Sequence, residues 1–156
     1  MPPNKITALA IAGMMTAALA AGAIAQDTTL TVDPAIAGMT PDQMVSARQA
    51  AMKEDGKLMK GAASLTGADA VAAADTLIRN FSNLTALFPE GSDVAGSEAL
   101  PSIWENFKEF NGIFVKNVAA ATAMRAAAEA GDAAAYAGAL KTIGASCGAC
   151  HQSYRS

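Results

Sequence analysis

Outside its last ten residues this chain has neither cysteine nor histidine. Both cysteines, Cys147 and Cys150, and the single histidine, His151, fall inside one pentapeptide of a 156-residue sequence. That scarcity excludes several chemistries at once. A zinc centre takes four ligands, usually from two such clusters, and no second cluster exists. A disulfide between residues three apart closes almost no loop and stabilises little, so a disulfide framework is excluded too. The chain also lacks strand-like alternation and any strand–helix–strand pattern. A thioredoxin-like redox pair, which sits at a helix start after a strand, therefore has no place to sit.

Long apolar runs are equally scarce. One exists, Ile6 to Ile24, behind the positive Lys5 and ahead of Ala23-Ile24-Ala25, a small-x-small cleavage pattern. Met1 to Ala25 reads as a cleaved secretory signal rather than a membrane anchor, and no second apolar run is long enough to span a bilayer. Removing it leaves Gln26 to Ser156, enough for one domain, residues 26–156. Lys5 is the only charge lost, so 10 basic residues face 14 acidic ones, and the net charge is −4. An acidic chain of this kind is not a nucleic-acid binder, and the same charge favours a basic docking surface on any protein partner. Export and the leader place it in the periplasm.

Four helical segments follow a short irregular lead containing Pro34 and Gly38. Thr40-Pro41-Asp42-Gln43 is a capping box with proline at the first helical position, and it opens a helix to about Gly61. Met44, Val45, Arg48, Met52 and Met59 share one broad face of it. A second helix runs from near Thr66 to before Pro89, with Val71, Ala74, Leu77, Ile78, Phe81, Leu84, Leu87 and Phe88 in three-four spacing. Pro89 to Leu100 is a Gly/Ser/acid-rich loop. A third helix runs from near Pro101 to Gly131, with Ile103, Phe107, Phe110, Phe114 and Val118 as its buried stripe and Trp104 beside it. Gly131 stops it, and Asp132 caps a fourth that carries Tyr136, Leu140, Ile143, Cys147, Cys150 and Tyr154. The expected fold is all-α, an antiparallel four-helix bundle.

Cys147-Gly148-Ala149-Cys150-His151 is a C-x-x-C-H sequence, the signature of covalent haem attachment. Residues i, i+3 and i+4 lie on one helical face. Two thiols there reach the vinyl groups on one porphyrin edge while the imidazole meets the iron. Small residues at 148 and 149 let the ring lie close to the backbone. The cofactor is one covalent haem c. Only five residues follow His151, so a sixth ligand must come from upstream, and no histidine remains to supply it. Met39, Met44, Met52, Met59 and Met124 are the methionines left. Three of them share a face of the first helix, and Met52 is read there either as core packing or as an iron ligand. Arg48, one turn earlier, either pairs with a haem propionate or reaches to solvent. Arg155 either contacts the proximal haem edge or is a terminal surface charge.

The segments ARQAAM (Ala47 to Met52), IWENFKEF (Ile103 to Phe110) and GASCGACHQSYR (Gly144 to Arg155) give the chain a resemblance to the class II c-type cytochromes, cytochrome c′ and the low-spin cytochrome c-556 type. The last segment is the most specific. The resemblance implies a left-handed antiparallel bundle, often a homodimer. It implies Cys147 and Cys150 as thioether anchors and His151 as proximal ligand. Arg48 and Gln49 would sit at the propionate edge, Glu98 would approach the haem, and Met52 would stand on the distal side of the iron. Two functions follow. With His151 and Met52 both ligating, the chain carries electrons between periplasmic redox proteins. With the distal site open, it binds nitric oxide or carbon monoxide. A haem enzyme such as a peroxidase is disfavoured, because no distal histidine or second acid–base group is available.

Overall fold

The computed structural model describes residues 29–156; the leader, Met1 to Ala25, lies outside them. A single turn of 3₁₀ helix, Pro34–Gly38, precedes helix α1, Pro41–Gly61, and α2 spans Gly67–Leu84. A short α3, Ser102–Glu105, leads into α4, Phe107–Ala130, and α5 spans Ala133–Tyr154. Among the described residues there is no strand, only one isolated bridge between Ala99 and Arg155. No helix among them is long and apolar enough to cross a membrane.

The helix ends form for local reasons. The Thr40 hydroxyl accepts from the Gln43 backbone N–H at 3.4 Å, and Gln43 Oε1 accepts from the Thr40 N–H at 2.8 Å, closing the reciprocal cap. Gly131 sits at φ 67°, a left-handed conformation that side chains resist, and Asp132 N–H returns to Ala127 O at 2.9 Å. Asp132 then caps α5 by accepting from Ala134 and Ala135.

The third helical segment differs from the uninterrupted helix expected. Asn106 leaves the helical region (φ −126°, ψ 39°), so α3 and α4 are separate. The break makes Phe107 the first residue of α4. Phe110, Phe114 and Val118 stay buried, whereas Phe107, expected in the same stripe, is 36% exposed. α2 also stops earlier than the residue pattern alone implies. Its last turn gives way at Leu84, and Leu87 and Phe88 reach the core from the following turns.

The core gathers Leu77, Leu84, Ile103, Val118, Met124 and Ile143, all essentially inaccessible. Met124, one of the five candidate methionines, is therefore packing. α2 packs along α4 and α4 along α5, while the backbones of α1 and α5 hardly approach each other. A groove is left between them. At its far end Tyr136 Oη donates to Ala62 O at 3.1 Å, tying α5 to the end of α1. At the near end the C-terminus is stitched to the loop, with Leu100 N–H on Tyr154 O and Ser156 N–H on Glu98 O, both 3.0 Å.

Candidate haem site

The groove has two connected parts. The outer part, about 370 Å³, is lined by Arg48, Gln49, Met52 and Lys53 from α1, and by Cys150, His151, Tyr154 and Arg155 from α5 and its end. Phe88, Glu98, Ala99, Ile103 and Phe110 close its back. The inner part, about 150 Å³, lies between Met52, Asp55 and Met59 on one side and Cys147, Cys150 and His151 on the other, with Phe81, Phe114 and Asn117 behind. Met52, Cys150 and His151 line both parts.

α5 supplies one wall, with Cys147, Cys150 and His151 at i, i+3 and i+4 sharing a face. Cys150 is buried, Cys147 half-buried and His151 exposed to the groove mouth. Burial pushes both thiols up, Cys150 to about 11; Asp55 adds to the rise at Cys147, and Cys147 adds to that at Cys150. The thiols are thus held neutral rather than as thiolates. Gly144, one turn before Cys147, lies against Met59, whose Cε is 3.8 Å from where a Cβ would stand, an ordinary contact distance.

α1 supplies the opposite wall. Arg48 is 4% exposed. Its Nη1 donates to Leu87 O at 3.1 Å and Ser92 Oγ at 3.0 Å, and its Nη2 donates to Ser92 O at 3.0 Å and Ser97 Oγ at 2.7 Å. The guanidinium also lies 4.5 Å over the Phe88 ring. Burial draws it below its ordinary value, with Asp93 opposing. Of the two readings open for Arg48, reaching to solvent is excluded. It pins the 85–100 loop and leaves its positive charge at the groove without a carboxylate partner among the described residues. Gln49 Nε2 donates to Gly96 O at 2.9 Å. Arg155 is held by Glu98 at 2.8 Å, both more than half exposed. Met44 and Met39 pack against the core outside the groove.

Aromatic rings make the back wall apolar. Phe110 meets Phe88, Phe114 and Tyr154 edge-on at 4.8, 5.1 and 5.1 Å. Trp104 is not part of it; its Nε1 donates to Phe88 O and Pro89 O and anchors the loop from outside. Sequence reasoning missed Lys53, Phe88 and Asp55. Lys53 was legible as a cation one turn after Gln49 on the same helix; in the structure no carboxylate pairs with it among the described residues. Phe88 and Asp55 reach the groove through tertiary packing.

These residues fit a haem c. Two neutral thiols and an imidazole stand on one wall and a thioether on the other. Between them lie apolar faces for a flat ring, with unneutralised cations at the mouth for its carboxylates. The comparisons agree. Residues 42–155 match the Cytochrome C' family. Cytochrome c-556 of Agrobacterium tumefaciens (strain II Chrys) is 41% identical over 118 residues, covering 71% of this chain and 95% of that one. The crystal structure of cytochrome c' from Thermochromatium tepidum superposes with a TM-score of 0.68 at 29% identity, covering 75% and 98%. A nitric oxide complex of a mutant cytochrome c prime from Alcaligenes xylosoxidans gives 0.65 at 29% identity, covering 75% and 96%. With the C-x-x-C-H wall, the groove and these relatives in hand, the chain belongs to the cytochrome c′ family of four-helix-bundle proteins that carry covalently bound haem c.

Proposed function

We propose that residues 26–156, exported by the leader, act as a periplasmic electron carrier with Cys147 and Cys150 as thioether anchors and His151 and Met52 as the two axial ligands. The observation that carries this reading is that Met52, on α1, lines both parts of the groove whose other wall holds His151. Haem iron supplies reversible one-electron chemistry, and a thioether ligand favours its reduced form. The protein's own residues do the rest. Cys147 and Cys150 fix the ring to α5. The charges of Arg48 and Lys53, which have no carboxylate partner among the described residues, neutralise its carboxylates at the mouth, where Gln49 and the Glu98-bound Arg155 also stand. Phe88, Ile103 and Phe110 exclude water from its faces.

The second reading is gas binding, with Met52 as a displaceable apolar cover. The nitric oxide complex of a related cytochrome supports it. Absorption spectra separate the two. The carrier reading expects a low-spin spectrum with a methionine–iron band in the red, lost in Met52→Ala together with a gain of carbon monoxide binding. A wild type that is already high-spin and shifts on carbon monoxide sinks the carrier reading and supports gas binding.

A further inference from the structure

Asp55 is a charge in an unexpected place. It lies two turns beyond Arg48 on α1, is 4% exposed, and lines the inner cavity together with Cys147, Cys150 and His151. One of its oxygens, Oδ1, accepts from Asn80 Nδ2 at 2.7 Å. The other, Oδ2, is buried with no hydrogen-bond partner. A half-satisfied buried carboxyl is costly to the fold, so its retention here calls for another use.

Its neighbours do not cancel it. On α1 the adjacent carboxylate of Glu54 shares the same Asn80 amide, at 2.8 Å. On α2, Arg79 is the nearest cation, and it is exposed and spent on Glu54 at 3.5 Å. On α4 the facing group is Asn117, which is neutral. On α5 the facing groups are the thiols and the His151 ring. Cys147 already feels the Asp55 charge, which raises its thiol. An uncompensated negative charge acts strongly over a short, dry path.

We propose that Asp55 sets the midpoint potential of the haem, its buried negative charge at the covalently anchored end of the groove stabilising the oxidised, more positive state of the iron. The proposal rests on haem occupying the groove and not on Met52 being a ligand. Asp55 acts through the field and touches no reacting atom, so it is a positioning charge rather than a catalytic residue. Burial raises its carboxyl to about 6, with Asn80 and Arg79 opposing and Glu54 adding. The charge is therefore present at pH 8 and largely gone at pH 5.

The test is spectroelectrochemical titration of the mature haem protein at pH 8 and pH 5, comparing wild type with Asp55→Asn and Asp55→Glu. At pH 8, Asp55→Asn shifts the reduction equilibrium towards the ferrous form at least tenfold, about 59 mV for one electron. At pH 5 the two proteins agree within threefold, and Asp55→Glu stays near wild type at both. The haem carboxylates are common to all three, so they cancel from the difference. A pH 8 shift under twofold, or an equal shift at both pH values, overturns the proposal. Where Asp55→Asn does not mature, Asn80→Ala answers instead. Without its donor the carboxyl ionises at higher pH, so the break in potential against pH moves up, and an unmoved break overturns the proposal. A high-spin wild type would remove Met52 as ligand and leave this comparison measurable.

Discussion

Arg48 and Asp55 stand seven residues apart on one face of α1, equally buried, and the protein treats them in opposite ways. Arg48 gives four N–H donors to loop oxygens and an aromatic face. Asp55 has one satisfied oxygen and one without any partner. The outer end of the groove is thus built around a fully paired cation, and the inner end around a half-paired anion. A buried charge is tolerable when its hydrogen bonds are complete and expensive when they are not. The first pins the loop while its charge still faces the groove, and the second reads as function.

The sharpest break of that symmetry is structural. Cys147→Ser with Cys150→Ser should abolish covalent attachment altogether, so the exported protein weighs only its polypeptide and is colourless after denaturation; intact-mass spectrometry checks this. Arg48→Met should come next. It strands the Leu87 and Ser92 carbonyls and releases the 85–100 loop, at a cost of about 3 kcal/mol in urea unfolding. Lysine should not rescue it, since a single ammonium cannot serve the forked set of acceptors.

The inner charge should show itself in pH dependence. In the unfolded chain Asp55 titrates near its ordinary 3.8, and in the folded protein near 6. The folded form binds the proton more tightly, so stability is greatest with the carboxyl protonated and falls as pH rises from about 4 to about 6. The full difference is worth up to about 3 kcal/mol. Asp55→Asn should flatten that stretch of the curve, read from urea midpoints across pH 4 to 7. The smallest effect calibrates the others. Phe107→Ala, at the exposed position, should change stability by under about 0.5 kcal/mol. Phe110→Ala, three residues on and central to the aromatic wall, should cost about 3–5 kcal/mol.

The attachment wall was legible because it is local. Cys147, Cys150 and His151, within one and a half turns of helix, need no tertiary structure to be brought together, and the capping box at Thr40 and the stop at Gly131 are likewise written in a few adjacent residues. Phe107 shows where local reading fails. A periodic stripe ignores where a helix begins: with Asn106 outside the helical region, Phe107 is the first residue of α4 and is exposed there although it shares a face with Phe114. Arg48 shows a second kind of failure. Its position on the groove face was visible, but its partners lie 39 to 49 residues away in a loop whose path no pattern specifies.

Sequence by itself determined the all-α class, the helix boundaries to within a turn or a few, the haem chemistry and the helix that bears it, because caps, periodicity and the C-x-x-C-H spacing act over a few residues. Only the tertiary structure decided what stands opposite that helix: that α1 and α5 stay apart to leave a groove, that Phe88 and Phe110 wall it, that the guanidinium of Arg48 is spent on the loop, and that Asp55 is sealed inside with an idle oxygen. Each of those depends on groups distant in the chain excluding water from one another, and desolvation is a property of the packed whole rather than of any segment.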